Sequence, residues 1–154
     1  MKKLIINNNF WSIIPARSGS KTIKEKNLKK ILNYSLVGCA IKASEKSKFI
    51  SRIFVSTDSK KIKREALKLG AEVPFLRSKK NSGDLSTDFD AVLEFVRRII
   101  DIEYVLPEYI IYLRPTTPLR DPKVLDLAMM KFKKLKNYDS LVSVQPMNEP
   151  VYKK

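Results

Sequence analysis

Residues 11–28 read WSIIPARSGSKTIKEKNL and join a short apolar segment to a long basic loop. The segment at 11–15 is rich in aromatic and β-branched residues and ends at a proline, which predicts a buried β-strand. The loop at 15–28 combines small residues with positive charges, and a helical pattern begins after it, near Tyr34. This order of strand, polar loop and helix is the start of an α/β unit.

Four later segments repeat the strand character of 11–15. They are RIFVST (52–57), EVPFL (72–76), YIIYL (109–113) and SLVSV (140–144), and amphipathic helical patterns lie between them. Strands that alternate with helices predict βαβ units and a mostly parallel sheet with helices on both faces. The sequence therefore predicts an α/β fold, and residues 1–154 form a single domain in this interpretation.

The helical patterns have identifiable faces and ends. One predicted face carries Phe89, Val92, Val96, Ile99 and Ile100, and a second carries Leu125, Ala128, Phe132 and Leu135. Either Asp58 or Ser59 is expected to cap a helix that contains Ile62, Ala66 and Leu69 and that ends at Gly70. Pro122 suits the first turn of the helix after the fourth strand.

The composition excludes several classes of protein. Apolar residues make up 44% of the 154 residues, so the chain is expected to be globular. No apolar run approaches the roughly 20 residues of a membrane span, and the N-terminal residues do not have the pattern of a secretory signal. We therefore expect a cytoplasmic protein with no membrane partner. The single cysteine, Cys39, is expected to be a buried thiol, and there is no histidine.

The net charge of +15 is compatible with phosphate-containing partners. However, 23 of the 31 basic residues are lysines, and they are spread along the whole chain. A nucleic-acid interface usually concentrates its charge on one face, so this distribution favours a compositional bias over nucleic-acid binding.

The carboxyl ends of the strands are the expected place for a ligand, because loops lead into helices there. In the first loop, the backbone around Ser18, Gly19 and Ser20 is suited to wrapping a phosphate. Positive charge comes from Arg17, Lys21 and Lys26, and Asn27 offers a donor and an acceptor. The glycine spacing matches neither a Walker A loop nor a dinucleotide fingerprint.

The string PARSGSK, followed by KN, resembles the signature of the CMP-sialic acid synthetases (N-acylneuraminate cytidylyltransferases). The resemblance implies a Rossmann-like nucleotidyltransferase fold in which this loop holds the triphosphate of CTP. It implies phosphate contacts for Arg17, Ser20, Lys21 and Lys26, a nucleotide contact for Asn27, and catalytic roles for Arg17 and Lys21. Thr22 stands where that family usually has glycine, and Lys24 stands where proline is common.

Two later segments extend the resemblance. VSTDSKKI is similar to the family's VSTD segment, and we interpret its Asp58 as a helix cap. After the third predicted strand, Arg77 matches a family arginine that contacts the nucleotide. LRPTTPLR resembles LQPTSPLR, whose glutamine helps to recognise cytosine, and Arg114 occupies that position. Either Asp84 or Asp88 is expected to cap the next helix. Arg120 is expected to pair with Asp121 or with solvent.

The family continues well beyond the length of this chain. Residues 140–154 resemble its fifth strand and a loop that faces the sugar, with Lys153 near the sugar carboxylate. The family's Mg²⁺ ligands, much of its sugar pocket and its dimerisation segment come later, so the resemblance implies Mg²⁺ as cofactor but no metal ligand in this chain. It also implies a homodimer whose contact segment is absent here and a C-terminally incomplete domain.

The implied reaction is the transfer of CMP from CTP to an acidic nine-carbon sugar of the sialic acid type, with release of pyrophosphate. The alternatives are a truncated, non-catalytic nucleotide-binding module, or a cytidylyltransferase for legionaminic acid, pseudaminic acid or KDO.

Overall fold

A three-stranded parallel sheet forms the centre of the computed structural model, which describes residues 4–20, 22–83, 86–144 and 146. The strands are β1 (Ile5–Pro15), β2 (Lys30–Ile31), β3 (Tyr34–Ser35), β4 (Ile50–Ser56) and β5 (Val105–Tyr112). The helices are α1 (Leu36–Glu45), α2 (Lys60–Lys68), α3 (Asp88–Glu103) and α4 (Pro122–Lys134). Short 3-10 helices occupy Lys26–Leu28 and Lys80–Ser82, and β2 pairs with β3 in a separate antiparallel hairpin.

Strand β1 lies in the middle of the main sheet, in the order β4-β1-β5. Ile13 is opposite Phe54 of β4 on one side and opposite Tyr112 of β5 on the other. Because the three strands are parallel, their carboxyl ends meet at one edge of the sheet. The loops that follow them are therefore brought together in space.

The alternation of side chains along β1 creates two hydrophobic layers. Ile14 packs in a buried cluster with residues of α1 and α2, including Val37, Ile41 and Ile62. Trp11 and Ile13 belong to a second buried cluster that contains residues of α3, Phe95 and Ile99. The prediction of a parallel sheet with helices on both faces is confirmed.

Local sequence signals determine where the helices begin and end. The Ser59 side chain accepts a hydrogen bond from the Ile62 backbone and caps α2, which is followed by Gly70 with φ of 87°. Thr87 and Asp90 form a reciprocal capping box at the start of α3. Asp121 caps α4, with Pro122 in the first turn as the sequence predicts.

Two predicted strands are wrong. Residues 72–76 contribute a single parallel bridge, between Glu72 and Phe54, rather than a strand. Pro74 has no backbone N–H to donate, which is sufficient to interrupt a ladder at that point. Residues 140–144 are not a strand and are exposed, with Val144 at 91%. Their β propensity finds no strand partner in the described part of the chain, and propensity alone does not fix a strand.

Two predictions of burial are also wrong. Phe89 is 71% exposed, because the buried face of α3 is formed by Ala91, Phe95 and Ile99. Cys39 is only partly buried, since it lies beside the face of α1 that packs on the sheet. None of the helices in the described ranges has the length and apolarity needed to cross a membrane.

Arg52 of β4 joins the sheet to α3 through charged contacts. Its guanidinium donates to both carboxylate oxygens of Glu72 and to both of Glu103 at the end of α3. The same group lies 4.7 Å from the ring centroid of Trp11 and 4.5 Å from that of Phe54. Hydrogen bonding to Arg52 lowers the pKa of Glu103 below its ordinary value. This cluster fixes the amino-terminal half of β4 against α3.

Candidate nucleotide pocket

A pocket of about 380 Å³ lies where the loops after β1, after residue 76 and after β5 meet. It is at the edge of the sheet that the topology predicts for a ligand. Six of the seven residues predicted to contact the nucleotide line it: Arg17, Ser20, Lys26, Asn27, Arg77 and Arg114. The structure therefore brings these side chains together, while their binding roles remain predictions.

Asp58 fixes the loop that follows β1. The Ser18 backbone N–H donates to Asp58 Oδ1 over 2.7 Å, and the Ser18 hydroxyl donates to Oδ2 over 2.6 Å. The interpretation of Asp58 as a helix cap is wrong, because Ser59 caps α2. With Ser59 in that role, the Asp58 carboxylate is directed to the neighbouring loop instead.

Asn27 and Arg17 hold the two ends of the same loop. Asn27 is 8% exposed, and its Nδ2 donates to the Arg17 carbonyl over 3.0 Å. The Arg17 Nη1 donates to the Gly83 carbonyl over 2.8 Å, which joins the loop to the segment before α3. Glu25 of this loop has a left-handed backbone, with φ of 52°.

Arg77 is built into the end of β4. Its Nε donates to the Ser56 hydroxyl over 3.1 Å, and its Nη2 donates to the Ser56 carbonyl over 2.8 Å. Burial lowers the pKa of Arg77, but a guanidinium remains protonated in proteins. Neighbouring residues are held by Glu94, which accepts from the Ser78 backbone at 2.9 Å and from Asn81 Nδ2 at 2.7 Å. Arg77 therefore presents a fixed positive charge to the pocket.

Asp88 and Arg114 form an ion pair at the β5 side of the pocket. Asp88 Oδ1 also accepts a hydrogen bond from the Tyr112 hydroxyl at 2.8 Å. Burial, followed by the hydrogen bond to Asp88, raises the pKa of Tyr112, so the phenol stays protonated. The expectation that Asp84 or Asp88 caps α3 is wrong for Asp88, because Thr87 is the cap. Asp84 lies outside the described residues.

Arg120 supports the turn that carries Arg114. Its Nη2 donates to the Arg114 carbonyl over 2.7 Å, and burial lowers its pKa. Of the two partners expected for Arg120, Asp121 is not the one it bonds to: Arg120 donates to the Arg114 carbonyl, and Asp121 accepts from the Lys123 backbone at 2.9 Å as the α4 cap. Unlike Asp58 and Asp88, Asp121 therefore does serve as the cap of the helix that follows it.

Sequence reasoning missed the partnership of Asp88 with Tyr112 and Arg114. A period of two places Tyr112 and Arg114 on the same face of an extended segment, and this is a signal that they share a neighbour. Nothing in the linear sequence identifies that neighbour as Asp88, which is 26 positions from Arg114. Two other predicted site residues, Lys21 and Lys153, lie outside the described residues.

The charges around the pocket suit a polyanion on one side. Arg17, Lys26 and Arg77 line the region near β1 and β4, whereas Arg114 is neutralised by Asp88 near β5. Gly19 leaves open space, because a Cβ there would meet nothing within 4 Å. Close approach of the backbone to a phosphate is consequently possible at Gly19.

Comparison with known proteins supports the resemblance. The family model described as cytidylyltransferase matches residues 11–153. CMP-N,N'-diacetyllegionaminic acid synthase of Legionella pneumophila is 34% identical over 89% of this chain and 58% of its own length. N-acylneuraminate cytidylyltransferase of Escherichia coli is 33% identical over 90% of this chain and 32% of its own length. The chain thus spans between about one third and three fifths of these relatives.

Solved structures share the fold at low sequence identity. A CMP-2-keto-3-deoxy-manno-octonic acid synthetase complexed with CTP aligns with a TM-score of 0.66 and 16% identity, over 81% of this chain and 47% of that one. A cytidylyltransferase from Leptospira borgpetersenii aligns with a TM-score of 0.64 and 22% identity, over 85% of this chain and 51% of that one. With the match of the family model along most of its length, the chain belongs to the cytidylyltransferase family.

Proposed function

We propose that the pocket binds CTP and that the chain forms the nucleotide-binding part of a transferase that delivers CMP to an acidic nine-carbon sugar of the sialic acid type. The observation that carries the proposal is the convergence of Arg17, Lys26 and Arg77 on one pocket beside the small-residue loop at 18–20. Guanidinium groups bind phosphate oxygens with two parallel hydrogen bonds, and a small-residue loop lets backbone N–H groups approach the phosphates.

In the proposed reaction, the anomeric hydroxyl of the sugar attacks the α-phosphorus of CTP. The bond to the β-phosphate oxygen breaks, pyrophosphate leaves, and the hydroxyl proton passes to solvent or a base. Negative charge develops on the phosphate oxygens, so fixed positive groups stabilise the transition state. We assign this stabilisation to Arg17 and Lys21, and nucleotide positioning to Ser20, Lys26, Asn27, Arg77 and Arg114.

Mg²⁺ is the cofactor that we expect to accompany CTP, because it neutralises triphosphate charge. Within the described residues there is no group of three or more His, Cys, Asp or Glu side chains that could hold a metal ion. Among the described residues, Asp88 lines the pocket and is paired with Arg114, and Asp58 lies nearby and accepts from Ser18. The described residues therefore do not fit a metal held mainly by protein, and we assign no step to the ion.

The choice of sugar rests on the relatives. Their names specify legionaminic acid, N-acylneuraminate and pseudaminic acid, at 33–34% identity to this chain. We therefore propose an acidic nine-carbon sugar as acceptor, with Lys153 as the candidate contact for its carboxylate. A cytoplasmic location completes the proposal.

Calorimetric titration with CTP and Mg²⁺ tests the nucleotide site directly. We expect saturable binding to the folded chain, with circular dichroism as the check on folding. Arg97→Met is the control for substitutions of the pocket arginines, because Arg97 is an exposed residue of α3 that does not line the pocket. We expect Arg97→Met to leave CTP affinity unchanged. A folded chain that does not bind CTP would contradict the proposal.

A second assay distinguishes an enzyme from a module that binds CTP but has no catalytic activity. Pyrophosphate release is measured with CTP, Mg²⁺ and each of N-acetylneuraminic, legionaminic and pseudaminic acids. Sugar-dependent release supports the transferase and identifies the acceptor. Binding of CTP without release supports the non-catalytic module, and KDO serves as the acceptor of a different sugar class.

A further inference from the structure

The segment 77–83 connects two arginines of the nucleotide pocket. It begins at Arg77 and ends at Gly83, whose carbonyl accepts a hydrogen bond from Arg17 Nη1 over 2.8 Å. Between these ends, the Asn81 carbonyl lies 3.5 Å from Arg77 Nη1. The positions of both guanidinium groups in the pocket therefore depend on how this one segment is held.

Glu94 of α3 holds the middle of the segment from outside the pocket. Its Oε1 accepts from the Ser78 backbone N–H over 2.9 Å. Its Oε2 accepts from Asn81 Nδ2 over 2.7 Å and from the Ser78 hydroxyl over 3.1 Å. Asn81 lines the pocket, whereas Glu94 does not. One carboxylate thus joins a helix to the segment that positions two pocket arginines.

Arg98, one turn further along α3, fixes the residues just before the segment. Its Nη1 donates to the Leu76 carbonyl over 2.8 Å and lies 3.4 Å from Glu94 Oε1. Its guanidinium is 3.8 Å from the ring centroid of Phe75. The entry to the segment is consequently attached to the same face of α3 as its middle.

The contacts of Glu94 have the strength of charged hydrogen bonds. Burial raises the pKa of Glu94, but hydrogen bonds from Asn81 and Ser78 outweigh that effect and keep the pKa below the ordinary 4.5. The carboxylate is therefore ionised at neutral pH, and hydrogen bonds to an ionised acceptor are about twice as strong as neutral ones. The Glu94 side chain is 11% exposed, so solvent screens these contacts only weakly.

We propose that Glu94 is a positioning residue for CTP binding, because it sets the places of Arg17 and Arg77 in the pocket by holding the segment 77–83 against α3. Groups that bind a ligand lose affinity when binding must first order them. With the segment held, both guanidinium groups are placed before the nucleotide binds. Glu94 acts through the two arginines and does not contact the ligand. This inference rests on the proposed binding of CTP in the same pocket.

The other end of α3 provides a matched carboxylate that holds the fold but not the pocket. Glu103 accepts two hydrogen bonds from Arg52, and neither residue lines the pocket. Loss of the Glu103 carboxylate should therefore lower stability and leave CTP affinity unchanged. Glu103→Ala is the control for Glu94→Ala, with the same chemical change on the same helix.

The first test measures CTP affinity with Mg²⁺ by calorimetric titration and stability by urea unfolding. We expect Glu94→Ala to weaken CTP binding about tenfold, because binding must then order the segment. Glu94→Gln keeps the size of the side chain and one acceptor oxygen, so it should weaken CTP binding only about threefold. This milder variant also keeps the test available if Glu94→Ala does not fold.

The second test determines whether the effect of Glu94 passes through the arginines. Two changes that act through the same group are not additive in a double-mutant cycle. In the Arg17→Met background, Glu94→Ala should weaken CTP binding only about threefold, because no guanidinium then depends on the Gly83 carbonyl. A smaller reduction is expected in the Arg77→Met background, since Ser56 also holds Arg77.

The outcomes separate this inference from the proposed function. If folded Glu94→Ala and Glu94→Gln bind CTP as tightly as the unmodified chain, the inference is overturned and the nucleotide site stands. It is also overturned if Glu94→Ala keeps its full effect in both arginine backgrounds, because the effect then does not pass through Arg17 or Arg77. If the unmodified folded chain does not bind CTP, the proposed function itself fails. Circular dichroism of each variant distinguishes a loss of affinity from unfolding.

Discussion

Ser18 and Asp58 are joined by two hydrogen bonds, one from the Ser18 backbone N–H at 2.7 Å and one from its hydroxyl at 2.6 Å. The two residues are 40 positions apart, and they connect the loop after β1 to the segment after β4. The contact fixes the first residue of the segment 18–20 that is proposed to wrap the triphosphate. Asp58 is thus placed to order the segment 18–20, and we do not expect it to contact the nucleotide.

Asp58→Ala is expected to weaken CTP binding about fivefold to tenfold, because the loop must then be ordered on binding. Its effect on the free energy of unfolding should be small, since Ser18 and its bonds are exposed. Calorimetry with CTP and urea unfolding measure the two effects.

The neighbouring cap residue provides the control for Asp58→Ala. Ser59→Ala removes the cap of α2 and should cost about 1 kcal/mol of stability while leaving CTP affinity unchanged. If Asp58→Ala instead behaves like a lost helix cap, with lower stability and normal CTP affinity, the assignment of Asp58 to the loop is wrong.

Two glycines offer a second pair of contrasting substitutions. A Cβ at Gly19 would meet nothing within 4 Å, so Gly19→Ala should preserve stability but weaken CTP binding by occupying the space proposed for the phosphates. Gly70 has φ of 87°, so Gly70→Ala should cost about 1 kcal/mol or more without affecting CTP. Equal CTP affinity in Gly19→Ala and the unmodified chain would argue against phosphate contact at Gly19.

Arg77 is expected to serve both folding and binding. Arg77→Met removes the two hydrogen bonds to Ser56 and should cost about 1–3 kcal/mol of stability. It also removes a positive charge from the pocket, so CTP affinity should fall by about tenfold or more. Arg97→Met is the control with the same chemical change on an exposed helix position. A normal CTP affinity in folded Arg77→Met would restrict Arg77 to a structural role.

The sequence was sufficient to predict the architecture that depends on local patterns. Apolar periodicity predicts the strands at 11–15, 52–57 and 109–113, and the missing N–H of Pro122 predicts its place at the start of α4. These predictions are confirmed. The prediction at 72–76 failed because Pro74 interrupts the ladder after the bridge of Glu72 to Phe54, and the prediction at 140–144 failed because the segment finds no strand partner among the described residues.

The same limit applies to the carboxylates of the site. Asp58, Asp88 and Asp121 all lie at or next to the start of a helix, where a cap is the expected role, but only Asp121 is a cap. At the other two positions an adjacent Ser or Thr takes the cap, and the carboxylate bonds to a residue 26 or 40 positions away. Such pairs depend on how three loops are arranged in the folded protein. The local sequence therefore does not show whether an aspartate caps its helix or bonds to a distant residue.

The contact of Glu103 with Arg52 predicts a pH dependence of stability. Hydrogen bonding to Arg52 lowers the pKa of Glu103 below the ordinary 4.5, so the folded state favours the ionised form. The stabilisation is therefore fully present above about pH 4.5 and is lost as the pH falls through the lower pKa of the folded state. Urea unfolding of the unmodified chain and of Glu103→Gln, measured from pH 7 to pH 3, tests this expectation.

At pH 7 we expect Glu103→Gln to be less stable by about 1 kcal/mol, because Arg52 keeps Glu72 as a second partner and the contact is only partly buried. The difference between the two proteins should shrink below pH 4.5, as Glu103 becomes protonated in the unmodified chain. Glu45→Gln is the control, since Glu45 forms a solvent-screened pair with Lys42 that should contribute little to stability. A difference for Glu103→Gln that is the same at pH 3 and pH 7 would show that packing, and not the charge on Glu103, joins α3 to β4.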